Sequence, residues 1–166
     1  MSATSDKQFP VSWEQLHRDA KALAWRLAEL GPWTRVIAVS RGGMVPACVV
    51  ARELEVRHVD TVCAVSYDYM AQGDLRILKA PEDTDGPAGE DGRTVVVDDL
   101  ADTGKTISAL RDMYPHAHFA TVYVKPAGQP MVDTFVTEVS QDTWIHLPWD
   151  LELRFATPLA KAQADD

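Results

Sequence analysis

The sequence predicts an α/β fold, a doubly wound and mostly parallel twisted sheet flanked by helices. Three observations carry this. The continuous valines at 95–97 and the largely apolar runs at 35–40 and 117–124 read as buried strands, the valines as a strand covered on both faces. The first two lead into glycine-bearing turns, Arg41-Gly42-Gly43 and Thr103-Gly104, and each turn leads into a helical pattern. Strand and helix therefore alternate through the middle of the chain, as crossover-connected parallel strands require.

The elements follow in order. Ser12 is placed to cap a helix, Gln15 completes a capping box, and Val11 can staple onto Leu16. Leu16, Ala20, Leu23, Ala24, Leu27 and Leu30 fall on one helical face, and Gly31-Pro32 stops the helix. The strand at 35–40 enters the Arg41-Gly42-Gly43 turn and a helix over 45–54. A strand at 59–66 comes next. Residues 67–79 are polar, and 80–92 are acidic and dense in glycine and proline, so 67–93 reads as a flexible loop or hairpin tip. The strand beginning at Val95 and the helix from Ile107 to Met113 follow, then the strand at 117–124. Short strands are expected at 135–139, 144–147 and 151–155, with a frayed tail over 156–166. The first helix and the last forty or so residues stand outside the alternation and are expected to form a small cap beside the sheet, from 10–32 and 126–156. No internal repeat and no linker are visible, so 1–166 reads as a single domain.

Composition narrows the class. The chain has 166 residues, 46% hydrophobic and 25% charged, which suits a globular domain with a real core. A net charge of −9 argues against a protein that coats nucleic acid. Cys48 and Cys63 lie in apolar runs without CxxC spacing and read as reduced core cysteines. The start, Met1 to Asp6, shows no secretory signal pattern, and no apolar run reaches the ~20 residues of a membrane span. A cytoplasmic location is the expectation. Trp13, Trp25, Trp33 and Trp149 are assigned to packing. His116 and His118 alternate as in a strand and read as structural rather than metal-binding.

The segment 95–106 carries the chemistry. Val95-Val96-Val97 ends in Asp98-Asp99, then Leu100-Ala101-Asp102-Thr103-Gly104-Lys105-Thr106 enters a helix. Open α/β sheets bind ligands at the carboxyl ends of their strands, where the acids fall. The helix start points backbone N–H groups at the loop, and an anion fits there. Gly104-Lys105-Thr106 suggests a triphosphatase loop, but that motif needs glycine where Asp99 stands, and a carboxylate would face the phosphates. A receiver domain needs its acidic pair on the first strand. Here two strands come before it.

With the triphosphatase and receiver set aside, the pattern resembles the type I phosphoribosyltransferases, whose signature is an apolar strand, two acids and a short Thr/Gly loop. Residues 37–43, Ala51-Arg52-Glu53-Leu54, residues 57–63, Lys125-Pro126-Ala127-Gly128 and Asp142-Thr143-Trp144-Ile145 resemble the bacterial xanthine–guanine branch. The resemblance spans about residues 10 to 155. It implies the type I phosphoribosyltransferase fold with a hood from the first helix and the C-terminal strands.

It also implies a purine salvage reaction. Phosphoribosyl pyrophosphate would give its 5-phosphoribosyl group to N9 of guanine or xanthine, with hypoxanthine a weaker substrate. The implied cofactor is Mg²⁺, with Asp99 closest to the metal and Asp98 a ribose ligand. Asp98, Asp99 and Asp102 form the implied catalytic set, and Asp102 also faces N7 of the purine. The loop from Leu100 through Ala101, Asp102, Thr103, Gly104 and Lys105 to Thr106 would hold the 5′-phosphate. Arg41 and Gly42 would hold the pyrophosphate, after a cis peptide at Ser40–Arg41. Lys125 would donate to purine O6, Trp144 would stack on the ring, and carbonyls near Ile145 would meet the 2-substituent.

Two positions depart from the branch. Lys105 replaces a small residue and either adds a charge to the phosphate site or points to solvent, the second reading being preferred. Gly73 replaces an arginine that reaches a phosphate, with Arg76 or Lys79 as stand-ins. Family members form dimers or tetramers, and some associate loosely with the inner membrane. The expected partners are small molecules and further copies of the chain, with no nucleic acid. The competing class is a regulator that senses the donor or a nucleotide on the same fold. Such regulators usually add a basic nucleic-acid surface or a separate DNA-binding domain, and a net charge of −9 with no spare domain speaks against that reading. A third reading is an enzyme of the same fold for another base.

Overall fold

The computed structural model describes residues 7–66, 75–82, 90–152 and 154–155. Its centre is a six-stranded sheet. The strands are β2 (Arg35–Ser40), β3 (His58–Ser66), β4 (Leu75–Lys79), β5 (Thr94–Ala101), β6 (His118–Val124) and β7 (Thr134–Glu138). Their order across the sheet is β4-β3-β2-β5-β6-β7. All neighbours run parallel except β4, which is antiparallel to β3. The α/β class and the mostly parallel sheet are as the sequence predicts.

The helices cover both faces. Helix α1 (Trp13–Ala28) and helix α2 (Met44–Glu53) lie on one side, and α3 (Lys105–Met113) on the other. The valines of β5 show why a continuous apolar run was needed. Val95 and Val97 join the α1/α2 core, and Val96 joins the α3 core with Ile107 and Leu110. Because side chains alternate along a strand, a strand covered on both faces must be apolar at every position.

Helix α1 begins as its sequence directs. Ser12 Oγ accepts from the Gln15 backbone N–H at 3.1 Å, and Val11 and Leu16 are both buried in one cluster. Leu16, Ala20, Leu23, Ala24 and Leu27 form its buried stripe. Leu30 lies past the helix end and is exposed, unlike the expectation. The Trp33 indole N–H donates to the Leu27 carbonyl at 2.6 Å, which also accepts from the Leu30 and Gly31 N–H groups at the helix end.

Several expectations need correction. Trp13, Trp25 and Trp149 are exposed, and Trp13 and Trp149 pack on each other at 6.1 Å between ring centroids. Trp25 follows Ala24 of the buried stripe, and one helical step of 100° carries its ring off that face. Cys48 is exposed rather than a core residue, and Cys63 is half-buried. A strand unforeseen in the sequence, β1 (Lys7–Pro10), pairs in parallel with β8 (Thr143–His146) and builds the cap beside α1. Within the segment expected as loop, β4 forms an edge strand. It is tied to β3 by Asp60, whose carboxylate accepts from Lys79 Nζ at 2.5 Å and from the Glu82 N–H at 2.7 Å. Partial desolvation would raise Asp60, but Lys79 and the backbone N–H groups of Glu82 and Thr61 outweigh it and pull it down to about 2. The rest of that loop, 67–74 and 83–89, lies outside the described residues, as does the tail at 156–166. Two short strands, β9 (Leu151–Glu152) and β10 (Arg154–Phe155), close the described chain.

Candidate active site

The topology selects the site. From β2 the chain crosses by α2 to β3 on one side, and from β5 it crosses by α3 to β6 on the other. The carboxyl ends of β2 and β5 therefore flank the point where the sheet reverses direction, where such folds form their ligand crevice. The turn Arg41-Gly42-Gly43 leaves β2 there, and Asp98 to Thr106 leave β5 beside it.

These two segments meet at Gly42. A Cβ built on Gly42 would stand 2.6 Å from Asp99 Oδ1, inside any allowed contact, so glycine makes room for the Asp99 carboxylate. The Ser40–Arg41 peptide is cis, and the Arg41 side chain is exposed at the crevice. The acidic pair is ordered by its own backbone. Asp98 Oδ1 accepts from the Asp99 N–H at 2.9 Å, and Asp99 Oδ1 accepts from the Leu100 N–H at 2.7 Å. Desolvation at the strand end raises both carboxyls, Asp98 well above the ordinary range. The neighbouring Asp99 charge pushes Asp98 further, and Asp150 of the cap adds repulsion at Asp99. A carboxyl pair raised in this way gains most from a cation, and hard oxygen donors suit Mg²⁺. The residues fit that ion, with Asp99 as its candidate holder.

The loop beyond them has two parts. Leu100 and Ala101 are still strand. They pair with Tyr123 and Val124, and the Leu100 N–H is taken by Asp99. The open backbone donors come later, at the start of α3, where the first N–H groups have no intrahelical partner. Gly104 caps α3, Thr103 and Lys105 are exposed, and Thr106 is half-buried.

Asp102 and Lys125 come together across the crevice. Lys125 Nζ donates to Asp102 Oδ2 at 3.1 Å, and the lysine is buried while half of the Asp102 side chain is open. Lys125 follows β6 directly, and its N–H donates to the Ala101 carbonyl at 2.9 Å, so the β5 and β6 ends are laced together. Sequence reasoning missed a third member. Gln141 Nε2 donates to Asp102 Oδ1 at 2.8 Å, while Gln141 Oε1 accepts from the Ala127 N–H at 2.9 Å. Its partners lie 39 and 14 residues away, and no local pattern signals them. Three residues on, Trp144 is exposed on β8, while the Ile145 side chain is buried in the core and leaves only backbone for a ligand.

Lys79 does not serve as a stand-in for the arginine absent at Gly73. Its ammonium is bound to Asp60 and the Thr61 carbonyl near the amino end of β3, away from the strand ends that form the crevice. Arg76 is exposed on β4. Gly73 and Tyr67 lie outside the described residues.

The fold and crevice define a doubly wound α/β protein with a ligand crevice at the switch point of its sheet. The chain belongs to the phosphoribosyl transferase domain family, whose model matches residues 12–156. It is similar in structure to a purine phosphoribosyltransferase from Pyrococcus horikoshii, with a TM-score of 0.74 and 26% identity over 86% of this chain and 93% of that one. A xanthine-guanine-hypoxanthine phosphoribosyltransferase from Helicobacter pylori matches with a TM-score of 0.72 and 23% identity, covering 96% of this chain and 99% of its own. A hypoxanthine-guanine phosphoribosyltransferase from Bacillus anthracis matches with a TM-score of 0.60 and 25% identity, covering 78% of this chain and 81% of its own. No helix among the described residues is long and apolar enough to cross a membrane.

Proposed function

We propose that the protein is a purine salvage enzyme. It transfers the 5-phosphoribosyl group of phosphoribosyl pyrophosphate to N9 of a 6-oxopurine, guanine or xanthine first and hypoxanthine less well. The products are the nucleoside monophosphate and pyrophosphate. One observation carries the choice of base, the Lys125–Asp102 pair at 3.1 Å. A cationic donor beside a carboxylate acceptor is the complement of a 6-oxopurine edge, where O6 accepts and N7–H donates side by side. Adenine presents an amino donor at position 6, and it would set donor against donor at Lys125.

The other roles follow from position. The N–H groups at the start of α3 and the hydroxyls of Thr103 and Thr106 hold the 5′-phosphate. Arg41 and the backbone at Gly42 take the pyrophosphate, and Asp98 takes ribose hydroxyls. Trp144 stacks on the base, and carbonyls near Ile145 meet its 2-substituent. Mg²⁺, held by Asp99 and the donor's own oxygens, would supply charge neutralisation for the leaving pyrophosphate. The chain's own contribution to rate is positioning of N9 against the ribose carbon, exclusion of water and electrostatic complementarity to the departing charge.

The reading is tested with purified protein, donor, Mg²⁺ and each of the three bases. Nucleoside monophosphate and pyrophosphate are expected in equal amounts, and no product from any base would overturn it. Trp144→Ala is expected to raise KM for the base by about 10-fold, as loss of a stacking contact does, while KM for the donor stays within about 2-fold. Equal effects on both would remove Trp144 from the base site.

A further inference from the structure

We infer that Gln141 is the positioning residue that holds Asp102 toward purine N7 once Lys125 also serves the base. The inference rests on the reading of Asp102 and Lys125 given above and extends it to a residue that reading does not use.

Asp102 has two partners among the described residues, one on each oxygen, Lys125 on Oδ2 and Gln141 on Oδ1. The Lys125 ammonium has three donor protons, so it can serve O6 of an entering base and Asp102 together, but only by sharing its position between them. Its hold on the Asp102 side chain, which sits on a surface loop, is then weakened. Gln141 remains. Its amide cannot be reversed, because Oε1 already accepts from the Ala127 N–H at 2.9 Å, and a flip would set N–H against N–H there and oxygen against carboxylate at Asp102.

The turn that carries Gln141 is itself fixed. Ser140 Oγ donates to Asp142 Oδ1 at 2.6 Å and lies 2.6 Å from Thr143 Oγ1, and the Thr143 N–H donates to the Ser140 carbonyl at 3.0 Å. Lys7 of β1 holds the outer oxygen of Asp142 at 2.7 Å. One braced turn thus delivers both the amide that orients Asp102 and, three residues on, the Trp144 ring. It couples the cap to the β5 loop at the Asp102 carboxylate.

The deciding variant is Gln141→Glu at neutral to mildly basic pH. A carboxylate still accepts from Ala127 and keeps that tether, but it cannot donate to Asp102 and sets a like charge against it. Two ligands report the consequence. In 9-deazaguanine the N7–H is present, and in 7-deazaguanine it is replaced by C–H. In the presence of donor and Mg²⁺ the unmodified protein is expected to bind the first about 10- to 100-fold more tightly, the range for a hydrogen bond to a charged group. In Gln141→Glu that preference is expected to fall to within about 3-fold, with kcat/KM for guanine reduced about 10-fold or more and KM for the donor unchanged. A residue that only braced the fold would weaken both analogues in parallel and leave their ratio intact, and that result would overturn the inference. Gln141→Leu, which loses the tether as well, repeats the ratio in a second background should Gln141→Glu fold poorly. If the unmodified protein itself shows no preference between the analogues, the N7 reading of Asp102 fails first and takes Gln141 with it.

Discussion

Asp99→Asn is expected to abolish most activity and at the same time to make the ligand-free protein more stable. The two effects have one cause. Asp98 and Asp99 are adjacent carboxyls, both raised by desolvation; the Asp99 charge adds repulsion at Asp98, and Asp150 adds repulsion at Asp99 against the lowering hydrogen bond from Asp98. The sign follows from linkage. A carboxyl raised in the folded state binds its proton more tightly there than in the unfolded chain. Its ionisation therefore costs stability as pH rises above the unfolded carboxylate value, and the cost is complete once pH exceeds the raised folded value. Asparagine carries no charge at any of these pH values. Its Oδ1 can still accept from the Leu100 N–H, as Asp99 does at 2.7 Å, so the strand end keeps its order. The melting temperature of the variant should exceed that of the unmodified protein near neutral pH, and the gap should close as pH falls through the ordinary carboxylate range. Activity should fall by about 10²-fold or more, because a charge aimed at the bound cation and donor is lost. Thermal melts with and without donor and Mg²⁺ check both halves. Donor plus Mg²⁺ should stabilise the unmodified protein strongly and the variant little. A variant that melts lower than the unmodified protein in the absence of ligand would contradict the electrostatic account of the pair.

Gly43→Ala is expected to cost about 3 kcal/mol of stability, roughly 10 °C in Tm for a chain of this length. A Cβ at Gly43 would stand 2.7 Å from the Val39 carbonyl oxygen and closer still to the Val97 carbonyl oxygen. Both are backbone atoms of central strands, so no side-chain rotation relieves the clash. The Gly43 N–H also donates to Val39 O at 2.8 Å, and Gly43 O accepts from the Ala47 N–H at 2.9 Å, so the residue cannot swing away without opening the β2–α2 turn. Gly42→Ala, one position earlier, meets a carboxylate instead. Its cost should appear in donor binding rather than in Tm. Denaturant melts of the two variants side by side separate these outcomes, and equal destabilisation would contradict the geometry of the turn.

The contrast shows what a sequence discloses. The β5 strand and its acids were legible because their pattern is local. Continuous valines mean burial on both faces, and two carboxylates at the end of such a run stand out. Gly42 reads as a contact for the pyrophosphate, and nothing in the sequence signals that its missing Cβ also makes room for Asp99, more than fifty residues on. Gln141 was not legible, because a glutamine in a polar turn looks like any solvated residue until the fold brings Asp102 and Ala127 to it. β1 was missed for a similar reason: Lys7 to Pro10 is short and barely apolar, and its strand character comes from pairing with β8. The exposure of Trp25 could have been read from the helical period, since Leu23, Ala24 and Leu27 already fill the buried stripe.

The central claim is that the Lys125–Asp102 pair reads the O6/N7–H edge of a purine. The most direct measurement is kcat/KM for guanine, xanthine, hypoxanthine and adenine, taken side by side with saturating donor and Mg²⁺. The account expects all three 6-oxopurines to exceed adenine by about 10³-fold or more, the scale at which a site built for a hydrogen bond rejects a base that cannot make it. Adenine turned over within about 10-fold of hypoxanthine would contradict it.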